Sequence, residues 1–263
     1  MIHLSFVVPA HNEEVLLAHN VGRLVERLRA LPSARVLIVE NGSTDGTWAI
    51  AQGLAGVSGG VAVEAAREER AGLGGAYDRA LRELGQRPAP RLPHWVCLGA
   101  ADLPFGFTDL DRALPRMAEE GAPPVLLGSK AHPESRVSVS SKRRAASVAY
   151  RLLRRALLGM RVGDCQGTLF LRAELALALR PHVRSRDYFY TTELVCLLER
   201  SGVPIVELPV ELSPDERKST VSLFRDGARM GGQLLALRRR VRREGVPVDW
   251  LHGSEWTRPT ERA

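Results

Sequence analysis

The sequence predicts an α/β fold built on a mostly parallel sheet flanked by helices. Short apolar runs recur at 3–8, 34–40, 62–66, 94–100 and 123–129. Segments of helical spacing separate most of them, and polar clusters at 9–14, 40–47 and 100–105 each follow a run. Apolar runs of this length read as strands buried on both faces, and strand–helix alternation joins parallel strands by crossovers. Ligands in such sheets bind beyond the carboxyl ends of the strands, so the polar clusters are expected to converge there.

Each element has its own signal. HLSFVV (3–8) ends at Pro9, a strand stop. Leu17, Val21, Leu24, Val25 and Leu28 follow at helical spacing, with Glu13 and Glu14 suited to the positive end of the helix. ARVLIVE (34–40) runs into the turn chemistry of NGSTDGT (41–47), and a short helix precedes VAVEA (62–66). AGLGGAYDRALREL (71–84) is a Gly-rich entry to a helix, and PAPRLP (88–93) is a loop before HWVCLGA (94–100). In the second half, SKRRAASVAYRLLRRALLG (141–159) is an amphipathic basic helix and 168–172 a short strand. YTTELVCLLERSG (190–202) is a helix ending at Gly202, and VPIVELPVEL (203–212) is a strand whose Pro209 argues for an edge or a strand end. Residues 220–244 read as a long helix broken near Gly231 and Gly232. We read one domain over 1–244, with a nucleotide-binding half to about 105, an acceptor-side half over 106–244, and a loosely held tail at 245–263.

Composition narrows the class. Hydrophobic residues are 44% and charged residues 25% of 263, which excludes a disordered, collagenous or coiled-coil chain. No apolar run approaches the ~18–20 residues of a membrane span. The start, MIHLSFVVPAHNEE, has neither the basic nor the long apolar region of a secretory leader, so none is expected. Cys97, Cys165 and Cys196 are odd in number and widely spaced, which fits a reducing cytoplasm better than a disulfide framework or zinc site. The formal charge is +7, and since Lys130, Lys142 and Lys218 are the lysines, 34 of the 37 cations are arginine. A basic excess points to an anionic partner: nucleic acid, membrane or phosphate.

The motifs narrow it further. VVPAHNEE (7–14), VENGSTDGT (39–47), the Gly-rich 72–76 stretch, AADLPF (100–105), GSK (128–130), DCQGT (164–168), TELVCLLERSGVPIVELPV (192–210) and ERKST (216–220) occur in the order found in family 2 glycosyltransferases. The branch resembled is that of the polyprenol-phosphate mannosyl- and glucosyltransferases, over about residues 3–220. The resemblance implies a GT-A fold, a Rossmann-like α/β domain that binds a nucleotide-diphosphate sugar, usually with Mg²⁺ or Mn²⁺.

It also implies roles. Pro9, Ala10, His11, Asn12, Glu13 and Glu40 match the positions that hold the base and ribose, with Gly72 and Ala101 beside the nucleotide. A carboxylate at 40 accepts well from the adjacent N–H groups of guanine, or from the single N3–H of uracil, and the reading leans to guanine. Glu13 equally suits a first-turn helix charge, and Asp45 equally suits a helix cap. The glycines at 72–75 allow backbone to approach a ribose or phosphate closely.

The family's Asp-x-Asp motif holds a divalent cation against the diphosphate. Asp102 matches its second carboxylate, and Ala100 stands where the first belongs. Lys130, Arg143, Arg217, Lys218 and Ser219 match positions that hold the diphosphate. Lys130 replaces an Arg, keeping charge and losing the bidentate fork. The run 142–144 also reads as a solvated helix face. Glu193 and Asp164 are candidates for the base that takes a proton from an acceptor hydroxyl; a phosphate acceptor, already an anion, needs none. Glu193 also reads as a core ion pair, and Asp164 as an anchor for the turn before Gly167.

The arginines at 238, 239, 240, 242 and 243, beside Leu234, Leu235, Leu237 and Val241, read either as a membrane-surface face or as a solvated basic helix end. The expected activity is therefore hexose transfer from a nucleotide-diphosphate sugar, GDP-linked by preference, to a lipid-phosphate or small-molecule acceptor. The expected place is the cytoplasm or the membrane periphery, with no nucleic-acid partner. Two other readings stand beside it: a mutase that rearranges the ring of a bound nucleotide sugar, and a non-catalytic module that binds nucleotide or nucleic acid.

Overall fold

The computed structural model describes residues 1–212 and 223–246. The Arg217, Lys218 and Ser219 cluster and nearly all of the expected tail lie outside the described residues.

Among the described residues, ten strands and eight α-helices follow in chain order. They are β1 (His3–Ala10), α1 (Leu17–Leu28), β2 (Ser33–Asn41), α2 (Thr47–Leu54), β3 (Gly56–Ser58), β4 (Val61–Glu68), α3 (Leu73–Gly85), β5 (His94–Leu98), α4 (Thr108–Met117), β6 (Val125–Ser129), β7 (Arg136–Val137), α5 (Ser141–Leu158), β8 (Leu169–Arg172), α6 (Ala173–Leu179), α7 (Phe189–Arg200), β9 (Ile205–Pro209), β10 (Glu211–Leu212) and α8 (Leu223–Glu244). An eight-stranded sheet runs β3-β4-β2-β1-β5-β8-β6-β9, and β7 and β10 form a separate two-stranded ribbon. Only β3 and β8 run against the rest of the large sheet. The predicted mostly parallel α/β sheet is the one observed.

Alternation along each strand splits the core into two layers. Val7, Leu37 and Val39 face one layer, and Phe6, Val8, Val36 and Ile38 face the other. The stripe of α1, Leu17, Val21, Leu24, Val25 and Leu28, packs in the second layer with residues of α2 and α4. Residues of α3, α6, α7 and α8 fill the first. Trp95, Phe170 and Tyr190 are fully buried, each worth roughly 2–3 kcal/mol of transfer free energy.

Several expectations change. The last helix is continuous through Gly231 and Gly232. Each glycine costs about 1 kcal/mol of helix propensity, but burial of Leu234, Leu237 and Val241 in the first layer outweighs it. The same burial turns the apolar side of α8 to the core, which corrects the reading of Leu234, Leu237 and Val241 as a membrane face. The strand expected over 203–212 is two pieces, β9 on the edge of the sheet and β10 in the ribbon, with Pro209 ending β9. The strand expected to reach residue 100 stops at Leu98, and Gly99 leaves room beside it for the Phe6 ring, which a Cβ would meet at 2.3 Å.

The topology places the chemistry. β1, β2, β4, β5 and β6 all end at one edge. The chain leaves β6 there at Ser129, makes an excursion through β7 and α5, and re-enters as antiparallel β8 from the same edge, Leu127 pairing with Leu169. The excursion 130–168 therefore belongs to the site edge.

Candidate functional site

The ends of β1 and β2 lie side by side, Ala10 against Glu40, and their loops are stitched together. Asn12 adopts φ 55°, the left-handed region that Asn tolerates. Its Oδ1 accepts from Thr44 N at 2.9 Å and its N–H donates to Ser43 Oγ at 3.0 Å. Glu13 N donates to Thr47 Oγ1 at 2.8 Å, and His11 Nδ1 donates to Asn41 O at 2.8 Å. Asp45 accepts from Thr47 N at 3.0 Å and Glu14 N at 3.3 Å, so it closes the turn that leads into α2 and links the two loops. His11 and Asn12 are exposed, whereas Ala10 is buried.

The Glu40 carboxylate is fully buried. One oxygen accepts from Ser43 N, and the other pairs with Arg67 Nε at 2.9 Å. The oxygens expected to meet a base are thus engaged by Ser43 and Arg67 in this structure. Glu40 holds Arg67, whose guanidinium is half exposed and lies 5.5 Å from the Trp48 ring. Arg67 thus lies at the site edge, at a position the motifs did not mark. Its signal was its place at the end of β4, in register with Glu40.

The Gly-rich stretch also has a different partner. With its amide oriented to satisfy both groups, Asn41 donates to Ala10 O at 2.8 Å and accepts from Gly72 N at 3.1 Å. Gly72 has φ 147°, and a Cβ there would stand 2.4 Å from Arg186 O. A Cβ on Gly74 would stand 2.9 Å from Ser185 O, and Gly75 N donates to Arg186 O at 2.9 Å. The glycines thus admit the 184–187 segment, a packing reason for Gly72 beside the expected approach to a ribose or phosphate.

That segment is fixed from three sides. Glu193, buried on α7, accepts from Arg184 N at 2.9 Å, Ser185 N at 2.8 Å and Ser185 Oγ, and pairs with Arg240 of α8 at 2.5 Å. Asp187 pairs with Arg229 and accepts from Gln233, both on α8. Asp78, buried on α3, pairs with Arg82, Arg180 and Arg186. Burial pushes the Asp78 carboxyl up, but these guanidinium groups outweigh it and hold it below the usual carboxylate range. Glu193 is therefore an anchor between α7 and α8, its oxygens already engaged.

The 99–105 turn carries Asp102. Tyr77 Oη donates to Gly99 O at 2.7 Å, and Asn20 Nδ2 donates to Ala101 O at 2.9 Å. Leu103 is buried with φ 45°, an uncommon conformation for its type. These contacts bury Ala101 and leave Asp102 exposed. Ala100 adds no donor, and no group of three or more His, Cys, Asp or Glu side chains suited to a metal occurs among the described residues.

Across the edge, Lys130 follows β6 at once. Its Nζ lies 3.2 Å from Asp164 Oδ2 and 5.8 Å from the centre of the Phe105 ring, beside the Asp102 turn. Asp164 also accepts from Lys130 N at 3.1 Å and Gln166 N at 3.0 Å. Burial pushes its carboxyl up, but the Lys130 charge and these donors hold it below the usual range. The 160–164 segment is held from below by Glu207 accepting from Gly163 N and Asp164 N, by Glu199 accepting from Arg161 N and Val162 N, and by buried Arg154 donating to Gly163 O.

Beyond Lys130, an open groove of about 480 Å³ is lined by Arg136, Val137, Ser138, Val139, Arg144, Glu211 and Leu212. Lys142, Arg143 and Arg144 are exposed in the first turn of α5, which Ser140 caps through Arg143 N. Cations there oppose the helix macrodipole, a local cost of the kind found at functional sites.

Comparison with known proteins agrees with this architecture. Glucosyl-3-phosphoglycerate synthase from Mycobacterium tuberculosis, solved with UDP, superposes with TM-score 0.62 at 20% identity over 94% of this chain and 81% of that one. The same enzyme solved with Mn²⁺ and UDP-glucose gives TM-score 0.62 at 19% identity over 94% and 80%. Glycosyltransferase AglD of Haloferax volcanii is 30% identical over 238 residues, 89% of this chain and 36% of AglD, so this chain spans about a third of that protein. Undecaprenyl-phosphate mannosyltransferase of Micrococcus luteus is 29% identical over 210 residues, 78% of this chain and 81% of that one. The model of glycosyl transferase family 2 matches residues 5–177, most of the sheet and the whole edge from β1 to β8, and the chain belongs to that family.

Proposed function

We propose that this family 2 glycosyltransferase moves a hexose from a nucleotide-diphosphate sugar to a phosphate-bearing acceptor of the polyprenol-phosphate kind. The observation that carries the reading is that both candidate bases are committed. Asp164 is paired with Lys130 and held below the usual carboxylate range, and Glu193 is buried with Arg240. A general base works best with a pKa near the operating pH and within reach of the acceptor proton. An acceptor phosphate is already an anion and needs no such base. The Arg136–Arg144 groove offers charge-assisted donors for it. The name of the Micrococcus luteus relative supports the same acceptor class.

On the donor side, the 9–13 loop forms the floor for base and ribose, and Arg67 reads the base edge. A guanidinium matches the O6 and N7 acceptors of guanine, so the donor proposed is GDP-linked. Lys130, Arg143 and the 217–219 cluster neutralise the diphosphate, with Asp164 orienting Lys130. The donor set at 100–104 is one exposed carboxylate. Such a set fits Mg²⁺ or Mn²⁺ only when diphosphate oxygens and water complete the shell. When bound there through Asp102, the ion supplies Lewis-acid stabilisation of the leaving diphosphate.

The test is a panel of GDP-, UDP- and dTDP-sugars, with and without Mn²⁺, read first by thermal shift and then by chromatography with polyprenyl phosphate. The expected outcome is a shift for a GDP-sugar and acceptor-dependent release of GDP. A rearranged nucleotide sugar formed without acceptor would instead identify a mutase.

A further inference from the structure

Among the described residues, α5 leaves three large apolar side chains uncovered. Of its 18 residues only Arg154 and Leu158 are buried. Leu152 is 59% exposed, Leu153 39% and Val148 38%. At about 100° per residue, Ala145, Val148, Ala149, Leu152 and Ala156 share an arc about 100° wide. Arg144, Arg151 and Arg155 line one border of that arc, and Lys142 the other. The helix carries no acidic residue. α8, packed beside α5, turns Leu234, Leu237 and Val241 inward.

We propose that α5 docks the enzyme on an anionic lipid surface, with Val148 and Leu152 entering the headgroup boundary and the flanking arginines and Lys142 meeting lipid phosphates. Apolar burial joined to cationic flanks is the physics of an interfacial helix. Charge complementarity selects this occupant. A second copy presenting the same face would set cationic border against cationic border in either helix direction, whereas an anionic bilayer neutralises both borders. Position adds to the case. The excursion that contains α5 leaves and re-enters the sheet at the site edge, and Arg144 of its first turn lines the basic groove. A lipid-borne phosphate would reach that groove from the surface on which α5 lies. The link to the acceptor rests on the proposed function; the docking itself does not.

The experiment is vesicle flotation of the whole chain with phosphatidylcholine, with and without phosphatidylglycerol. Wild type is expected to float only with the anionic lipid. Leu152→Glu and Val148→Glu, both at exposed positions, are expected to melt as wild type does and to bind at least about tenfold more weakly. Leu235→Glu, exposed on α8, is expected to float as wild type does. No flotation of wild type, or equal flotation of Leu152→Glu and wild type, would overturn the proposal. A wild-type dimer on a sizing column that Leu152→Glu converts to monomer would also overturn it, assigning the face to a second copy. Turnover of a water-soluble short-chain acceptor phosphate without vesicles is expected to be equal in wild type and Leu152→Glu. Failure of that turnover strikes the transfer reading alone, and failure of flotation strikes the docking alone.

Discussion

Lys130 Nζ lies 3.2 Å from the carboxylate of Asp164, at the edge where β6 ends. Asp164 holds the Lys130 ammonium in place, and in the function proposed here that charge is already oriented for a diphosphate.

Asp164→Asn tests this directly. The change keeps the shape and removes the charge. The expected result is a rise in KM for the donor with kcat falling no more than about tenfold. Loss of a general base would instead lower kcat by about 10²–10⁴. Steady-state kinetics over a range of pH separates the two.

Asp102→Ala is expected to lower turnover by about a hundredfold and to abolish the response to Mn²⁺. Ala100→Asp restores a second carboxylate, and is expected to tighten apparent Mn²⁺ affinity about tenfold. Mn²⁺ titration followed by melting temperature, in the presence of GDP, reads the affinity without turnover.

Gly72→Ala is expected to destabilise the fold by about 2–3 kcal/mol, because its Cβ would meet the Arg186 carbonyl at a backbone angle that L side chains rarely adopt. Gly22→Ala, in α1 with open space around it, is expected to stabilise by about 1 kcal/mol. Chemical denaturation of both variants checks the contrast.

At the opposite end of the sheet, burial, then the charges of His3 and Arg35, push His94 down to about 4. The unfolded chain therefore binds more protons than the folded one between about pH 6.5 and 4. Stability from this group is fully present above that window and is lost as pH falls through it. The loss is on the order of 2 kcal/mol after allowance for partial exposure. His94→Asn is expected to flatten the pH dependence of the melting temperature in that window.

The sequence carried what is local and periodic. Strands β1, β2, β4, β5 and β6, the stripe of α1 and the edge position signalled by Pro209 all follow from spacing and turn chemistry, whereas the three-residue β3 carried no such signal. α8 was harder, because Gly231 and Gly232 lower propensity while the offsetting burial of Leu234 and Leu237 is tertiary. The orientation of β8 had no signal, since a four-residue apolar strand reads the same in both directions. In the site, the motif order placed Asp102, Lys130 and Asp164 on one edge. It did not show that Glu40 holds Arg67, that Glu193 holds Arg240, or that Gly72 admits Arg186. Those partners lie far apart along the chain, and no periodicity encodes them.

The most direct test compares two acceptors that differ only in their phosphate. The enzyme is given its nucleotide sugar and Mn²⁺ with either a polyprenyl phosphate or the corresponding free polyprenol, and nucleoside diphosphate release is measured. Release with the phosphate and none with the alcohol is the predicted result. Equal transfer to the alcohol would contradict it, because a hydroxyl acceptor demands the free base that Asp164 and Glu193 do not supply.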